Sequence, residues 1–180
     1  MRGATVSGID LTPEFVDAAS DLTRRVGLAD RARFVVTPGE SMPFDDGLFD
    51  AAVMVHVGMN VPDKAALFTE IHRVLAPGAR FAVYDQMSTG IGDPTFPLQW
   101  AEDARSSFLE TVEEYRSHLE TAGFSVEAVE DRTDSVLGPR APARVTPVDV
   151  FGPTFAEAVG NWVAASRAGL LRTVLMVASA

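Results

Sequence analysis

Short apolar stretches of strand length alternate along this chain with segments patterned at three- and four-residue spacing, and that alternation restricts the fold to an open, mostly parallel α/β sheet. The stretch Ala4 to Ile9 reads as a strand closed by Asp10, after which Thr12 is placed to cap a helix begun by Pro13. Phe15, Val16, Ala19 and Leu22 form its expected buried stripe, and Gly27 its left-handed stop. Arg33 to Thr37 is the second strand candidate, broken by Pro38-Gly39. Asp50 to Val57 is the third, and its run Ala51-Ala52-Val53-Met54-Val55 predicts a parallel strand covered on both faces. A helix from about Pro62 to Ala76 follows, with Leu67, Phe68, Ile71, Val74 and Leu75 on one face and Pro77-Gly78 as its end. A fourth strand runs from Arg80 to Asp85, and an irregular segment reaches Ser107. Thr111 and Glu114 have capping-box spacing for a helix that Gly123 ends. Phe124 to Val129 is the fifth strand, Arg132 to Val150 a connection, Phe151 to Ala168 a helix, and Leu170 to Ala178 the last strand. No internal repeat or second domain is visible, so residues 1–180 read as one domain.

Composition removes several function classes. A net charge of −10 opposes polyanionic nucleic acid and anionic lipid, and favours a small-molecule partner. With no cysteine, disulfides and thiolate metal sites are excluded. No apolar run has the length of a membrane span, and the amino terminus lacks a secretory pattern, so a cytoplasmic setting is expected. No His and carboxylate cluster has metal-ligand spacing, and no nucleophile with a base and an orienting acid can be assembled.

Ligands of open α/β sheets bind beyond the carboxyl ends of the strands, which selects the candidate residues. Asp10 is placed to accept from both hydroxyls of a ribose, or else to cap the following helix. The loop Pro38-Gly39-Glu40-Ser41-Met42-Pro43-Phe44 offers N–H groups and an apolar wall to a flat heterocycle, or is an ordinary surface turn. His56 and Asn60 follow the third strand, where either can orient a polar substrate and His56 can act as a base. His72 and His118 fall on helices and read as packing or surface residues. Trp100 sits on the irregular segment, as a lid over a ligand or as a packing residue.

Beyond these single residues, the run Val6-Ser7-Gly8-Ile9-Asp10-Leu11-Thr12-Pro13-Glu14-Phe15 resembles the second-strand motif of class I S-adenosylmethionine-dependent methyltransferases. Met42-Pro43-Phe44-Asp45-Asp46-Gly47-Leu48-Phe49-Asp50 is similar to that family's LPF-x-D-x-x-FD segment. Glu70-Ile71-His72-Arg73-Val74-Leu75-Ala76-Pro77-Gly78-Ala79-Arg80-Phe81 is similar to its E-x-x-RVL-x-PGG-x-F segment. His56-Val57-Gly58-Met59-Asn60 and Phe96-Pro97-Leu98-Gln99-Trp100-Ala101 resemble the subgroup of the ubiquinone/menaquinone-biosynthesis and sarcosine/dimethylglycine methyltransferases. The resemblance implies a Rossmann-like sheet with an antiparallel last strand, S-adenosylmethionine as cofactor and a small-molecule methyl acceptor. It also implies that Asp10 holds the ribose, Leu11 packs near the adenine, Gly39 and Glu40 lie along the adenine edge, and Val55 shapes the cofactor site. His56, Asn60 and Trp100 would then face the acceptor, with His56 the catalytic base. A homodimer is compatible with this reading.

Two departures qualify the expectation. Where the family usually places an Asp at the end of the strand before the Pro38 loop, this chain has Pro38, which cannot accept from the adenine amino group. No G-x-G-x-G occurs, and the first strand and helix of the family are missing, as if the chain were the carboxyl-terminal two-thirds of such an enzyme. The absent strand would sit between those ending at Asp10 and near His56, and its loss predicts unpaired edges. A misplaced start, a partner chain that supplies the strand, and a degenerate non-catalytic subunit are the three explanations. A nicotinamide-dependent oxidoreductase is the rival enzyme class, because an acid after a strand also suits its ribose.

Overall fold

A computed structural model of the chain describes residues 3–138 and 147–180. The first unit is a β-α-β crossover: strand β1 (Val6–Asp10), helix α1 (Pro13–Arg25) and strand β2 (Ala32–Val36). β1 and β2 pair in parallel, with Asp10 opposite Val36, as a two-stranded sheet. Strand β3 (Phe49–Val55), helix α2 (Lys64–Val74) and strand β4 (Leu75–Ser88) repeat the crossover. Helix α3 (Val112–Thr121), strand β5 (Ser125–Asp131), helices α4 (Thr133–Leu137), α5 (Pro147–Phe151) and α6 (Pro153–Arg167), and strand β6 (Leu171–Ser179) complete the order. The second sheet runs β3-β4-β6-β5, with β6 antiparallel to both neighbours, as expected of the last strand.

The core lies between this four-stranded sheet and α2 and α3. Phe68, Phe81, Met87, Tyr115, Leu119 and Met176 are fully buried in it. Helix α2 reaches it because Leu67, Phe68, Ile71 and Val74 share one face, and Asp63 caps its start by accepting from Ala66 N at 2.9 Å. The helix is shorter than its pattern predicts: β4 begins directly at Leu75, and Gly78, at a φ of 79°, turns within the strand. The Thr111/Glu114 capping box is formed in full, and Gly123 follows α3 at a φ of 106°. The connection expected over Arg132 to Val150 contains α4 and part of α5; its residues 139–146 lie outside the described residues.

The two motif segments are joined by one side-chain clamp. Glu70 on α2 accepts from Met42 N at 2.6 Å, while Arg73 donates to Phe44 O at 2.8 Å, Met42 O at 3.1 Å and Asp46 Oδ1 at 2.5 Å. Arg73 also bonds both oxygens of Glu70, which holds the Glu70 carboxyl below its ordinary pKa. The loop after β2 is thereby fixed to the helix after β3.

Two burial expectations are overturned. Helix α1 buries none of its residues, and Phe15 and Leu22 are 65% and 62% exposed. Strand β3 is not covered on both faces either, since Val53 and Val55 are 73% and 51% exposed. The physical reason is the same for both. β1 pairs with β2 alone and β3 with β4 alone, so among the described residues no strand fills the position between β1 and β3 and no further layer covers α1. The unpaired edges predicted from the sequence are present.

Candidate functional site

β1 delivers Asp10 to its carboxyl end with an exposed side chain. Its Oδ1 accepts from Thr12 N at 2.8 Å, a local turn bond that fixes the carboxylate without burying it. Thr12 itself makes no side-chain capping bond, so the stop between β1 and α1 is made by Asp10. Leu11 is 67% exposed beside it. The end of β2 comes to the same place, because Thr37 N donates to Asp10 O at 3.1 Å. The following turn closes through Thr37 Oγ1 to Ser41 O at 2.7 Å and Ser41 N to Pro38 O at 3.3 Å, which leaves Gly39 and Glu40 half-buried on its crest. A side chain at Gly39 would meet Leu67 Cδ1 at 2.5 Å, so the loop backbone lies directly on α2.

β3 ends at Val55, and His56 continues with its N–H donated to Tyr84 O at 2.8 Å. His56 has a φ of 53°, the one described non-glycine residue with positive φ, a conformation that costs on the order of 1 kcal/mol or more and must be held by its surroundings. Its imidazole lies 5.2 Å from the Tyr84 ring. Although the side chain keeps much of its surface in solvent, the neighbouring protein strips enough water to lower its pKa below the ordinary histidine value, so it is neutral at pH 7. A single 3-10 turn, Gly58–Asn60, then exposes Asn60.

Trp100 is half-buried and packs against the small cluster of Leu98, Trp162, Ala165 and Leu171, with its Nε1 donating to Ser107 Oγ at 3.0 Å. Its N–H is therefore committed to a protein partner. The next residue, Phe108, donates its N–H to Met59 O at 2.9 Å, which brings the Trp100 segment to the turn that carries Asn60. The structure thus makes two groups, Asp10 with Leu11, Gly39 and Glu40, and Val55 with His56, Asn60 and Trp100. Among the described residues no hydrogen bond or strand pairing joins one group to the other.

His72 packs edge-on against Phe124 at 5.0 Å and His118 Nε2 lies 3.2 Å from Glu110 Oε2, so both are packing or surface-network residues as expected. No group of metal-ligating side chains occurs among the described residues. A shallow cavity of about 350 Å³ lies at the ends of β4 and β5, lined by Ser88, Thr89, Val112, Asp131 and Arg172 among others; it contains none of the residues selected from sequence.

Sequence reasoning missed a buried polar cluster behind the His56–Asn60 turn. Asp85 on β4 is fully buried, accepts from Tyr115 Oη at 3.1 Å and from Gln86 N at 2.9 Å, and lies close against the Gly58 backbone. Burial pushes its carboxyl up to about 6. Lys64, equally buried, donates to Val61 O at 3.1 Å and Phe108 O at 2.5 Å, and its Nζ lies 3.5 Å from Glu110 Oε1. Burial lowers the Lys64 pKa and, together with the Asp85 charge, raises that of Tyr115. The available signal was an Asp that closes an apolar strand at Tyr84-Asp85 and a lysine at the first turn of an otherwise apolar helix face.

Comparison with known proteins bears on this arrangement. Residues 1–83 match the family described as a methyltransferase domain. The methyltransferase GfsG of Streptomyces halstedii is 30% identical over 160 residues, which cover 86% of this chain and 56% of that relative. The chain thus spans little more than half the length of that protein. The geranyl diphosphate C-methyltransferase of Streptomyces coelicolor A3(2), solved with Mg2+, geranyl diphosphate and S-adenosyl-L-homocysteine, superposes with a TM-score of 0.80 at 21% identity, covering 98% of this chain and 63% of that one. A putative sarcosine dimethylglycine methyltransferase from Galdieria sulphuraria superposes at 0.78 and 21% identity, over 98% of this chain and 70% of its own. At these identities the likeness is one of fold.

Proposed function

We propose, from the premise that residues 1–83 belong to the methyltransferase domain family and that the fold is the Rossmann-like one of class I methyltransferases, that residues 1–180 form a single domain that transfers a methyl group from S-adenosylmethionine to a small-molecule acceptor. The observation that carries this reading is the exposed Asp10 carboxylate at the end of β1, tied by the Thr37 N to Asp10 O bond to the Gly39-Glu40 turn. One carboxylate oxygen is engaged by Thr12, and the group remains open to a ribose diol. Leu11 presents exposed apolar surface to one face of an adenine, and the turn's backbone lines its edge. These residues fit the nucleoside half of the cofactor, although Pro38 supplies no partner for the adenine amino group.

When bound, the sulfonium supplies the methyl carbon: the bond to sulfur breaks as a bond to an acceptor nitrogen, oxygen or carbon forms, and S-adenosylhomocysteine leaves. The chain's own task is alignment and exclusion of water. Val55 closes the strand beside the cofactor, Asn60 orients the acceptor, and the Trp100 ring covers it while its N–H stays on Ser107. His56, neutral at pH 7, takes the proton that a nitrogen or oxygen acceptor must lose. A compact acceptor suits the net charge of −10 better than a nucleic acid, and the cysteine-free composition suits a cytoplasmic setting.

Calorimetric titration of the 180-residue chain with S-adenosylmethionine and S-adenosylhomocysteine tests the reading. Binding is expected, and Asp10→Ala should weaken it roughly ten- to hundredfold, the loss of hydrogen bonds to a charged group. Unchanged affinity in Asp10→Ala would remove the ribose assignment. A second reading, a non-catalytic methyltransferase-like subunit, is favoured by the open edges of β1 and β3 together with Pro38. A folded chain without affinity for either ligand would support it, and tighter binding of a nicotinamide dinucleotide would support the oxidoreductase instead.

A further inference from the structure

We infer that Asp85, with Tyr115 and Lys64, is a positioning group for the acceptor side of the site: from the core it fixes the turn that presents His56 and Asn60. The inference deepens the methyl-transfer reading and rests on it for the word acceptor, while the geometry stands by itself. Asp85 touches neither candidate residue and has no exposed atom through which to meet a ligand.

Gly58 is the contact point. It is buried, and its backbone lies directly against the Asp85 carboxylate. A Cβ built at this position would lie 2.4 Å from Tyr115 Oη and 2.6 Å from Asp85 Oδ2, so the backbone approaches the two polar atoms as closely as glycine alone allows. The rest of the turn is held from the same side. Met59 O accepts from Phe108 N at 2.9 Å, and Val61 O accepts from Lys64 Nζ at 3.1 Å. Lys64 Nζ also bonds Phe108 O at 2.5 Å and stands 5.5 Å over the Tyr115 ring, so one buried ammonium ties the turn, the Phe108 strap and α3 together. Inside the turn, Asn60 N donates to Val57 O at 2.9 Å and Val61 N to Gly58 O at 3.0 Å. His56, two residues ahead of Gly58, holds a left-handed backbone that a free loop would not keep.

This amount of buried ionisable chemistry exceeds what packing needs. An apolar pair of the same shape would fill the space at lower desolvation cost, whereas the ammonium gives directional bonds to backbone carbonyls of the turn and the strap, and the phenol fixes the carboxylate beside Gly58. The charged and titratable groups facing Asp85 are Lys64 from α2 and Tyr115 from α3; Lys64 in turn faces Glu110 and Glu114, and His118 stands beside those two acids.

The test is amide NMR of the full 15N-labelled chain, without cofactor, as wild type, Asp85→Asn and Tyr115→Phe. In the wild type the Gly58 amide should titrate with the Asp85 carboxyl, and in Asp85→Asn that titration should vanish while exchange of the Gly58 and Asn60 amides speeds at least tenfold. Tyr115→Phe removes a donor that favours the ionised carboxylate, so it should move the Gly58 midpoint to higher pH; this arm decides the matter if Asp85→Asn does not fold. A general packing role would change overall stability without writing a carboxyl titration into Gly58. A Gly58 amide that does not titrate, or a midpoint indifferent to Tyr115→Phe, overturns the inference. S-adenosylhomocysteine affinity should stay within twofold of wild type in both variants. Absence of that affinity in the wild type would defeat the methyl-transfer reading and leave the Gly58 result standing.

Discussion

At the scale of single residues, Asp85 makes the clearest energetic prediction. Its folded pKa, pushed up to about 6, lies above the ordinary 3.8, so the protonated carboxyl is the form the fold favours. The stability it contributes is fully present below pH 3.8 and is lost as pH rises to about 6. An asparagine carries no such titration. The stability of Asp85→Asn relative to wild type should therefore increase between pH 4 and about 6 and level off above, which urea unfolding at a series of pH values will show. A difference that stays flat over that range would mean that Asp85 ionises as freely as in the unfolded chain. His56 has the opposite character, because its role needs exposure and its pKa is lowered by the desolvation its neighbours impose. Both residues close or follow a strand in the sequence, yet only His56 was selected there. An aspartate at a strand end reads as a ligand contact or a solvated acid. Its close approach to Gly58 and its bond to Tyr115, 27 and 30 positions away, exist only once β3, β4 and α3 are packed.

At the scale of elements, local chemistry was readable wherever the partner lies within a few residues. The Thr111/Glu114 box, the left-handed Gly27 and Gly123, and the buried face of α2 all depend on spacing along one helix, and all are present. Thr111→Ala should lower stability by about 1 kcal/mol, a drop in the melting temperature of a few degrees by calorimetry. The boundary between α2 and β4 was less legible, because Pro77-Gly78 reads as a helix stop while the pairing of Leu75 with Phe49 draws the start of the strand back to Leu75. The Glu70/Arg73 clamp is a motif whose physical content emerges only in three dimensions. The sequence shows an acid and a base three residues apart on a helix, and the structure shows them holding Met42, Phe44 and Asp46. Arg73→Ala should speed proteolysis within Met42–Asp46 before it affects α3, because the loop loses its bonds to α2. Equal protection of that loop in variant and wild type would show that the contacts to α2 are redundant.

At the scale of the molecule, periodicity predicted which faces of α1 and β3 are apolar but not what covers them. Phe15 and Leu22 lie on a well-formed amphipathic helix, and Val53 and Val55 on a strand of continuous apolar character, yet all four are largely exposed. Apolar pattern records a surface that lowers its free energy by burial, and burial itself requires a second surface. Among the described residues β1 and β3 have only one neighbouring strand each. Contiguous exposed apolar surface beside an unpaired strand edge promotes association between chains and binds hydrophobic dyes. The chain should accordingly bind anilinonaphthalene sulfonate in its native state and sediment with concentration-dependent mass. Val53→Lys and Phe15→Ser should lower both signals while changing unfolding free energy by no more than about 0.5 kcal/mol, as at a surface site. A loss of several kcal/mol instead, the cost of removing a buried aromatic or aliphatic side chain, would mean that both faces are covered in solution, with the position between β1 and β3 filled.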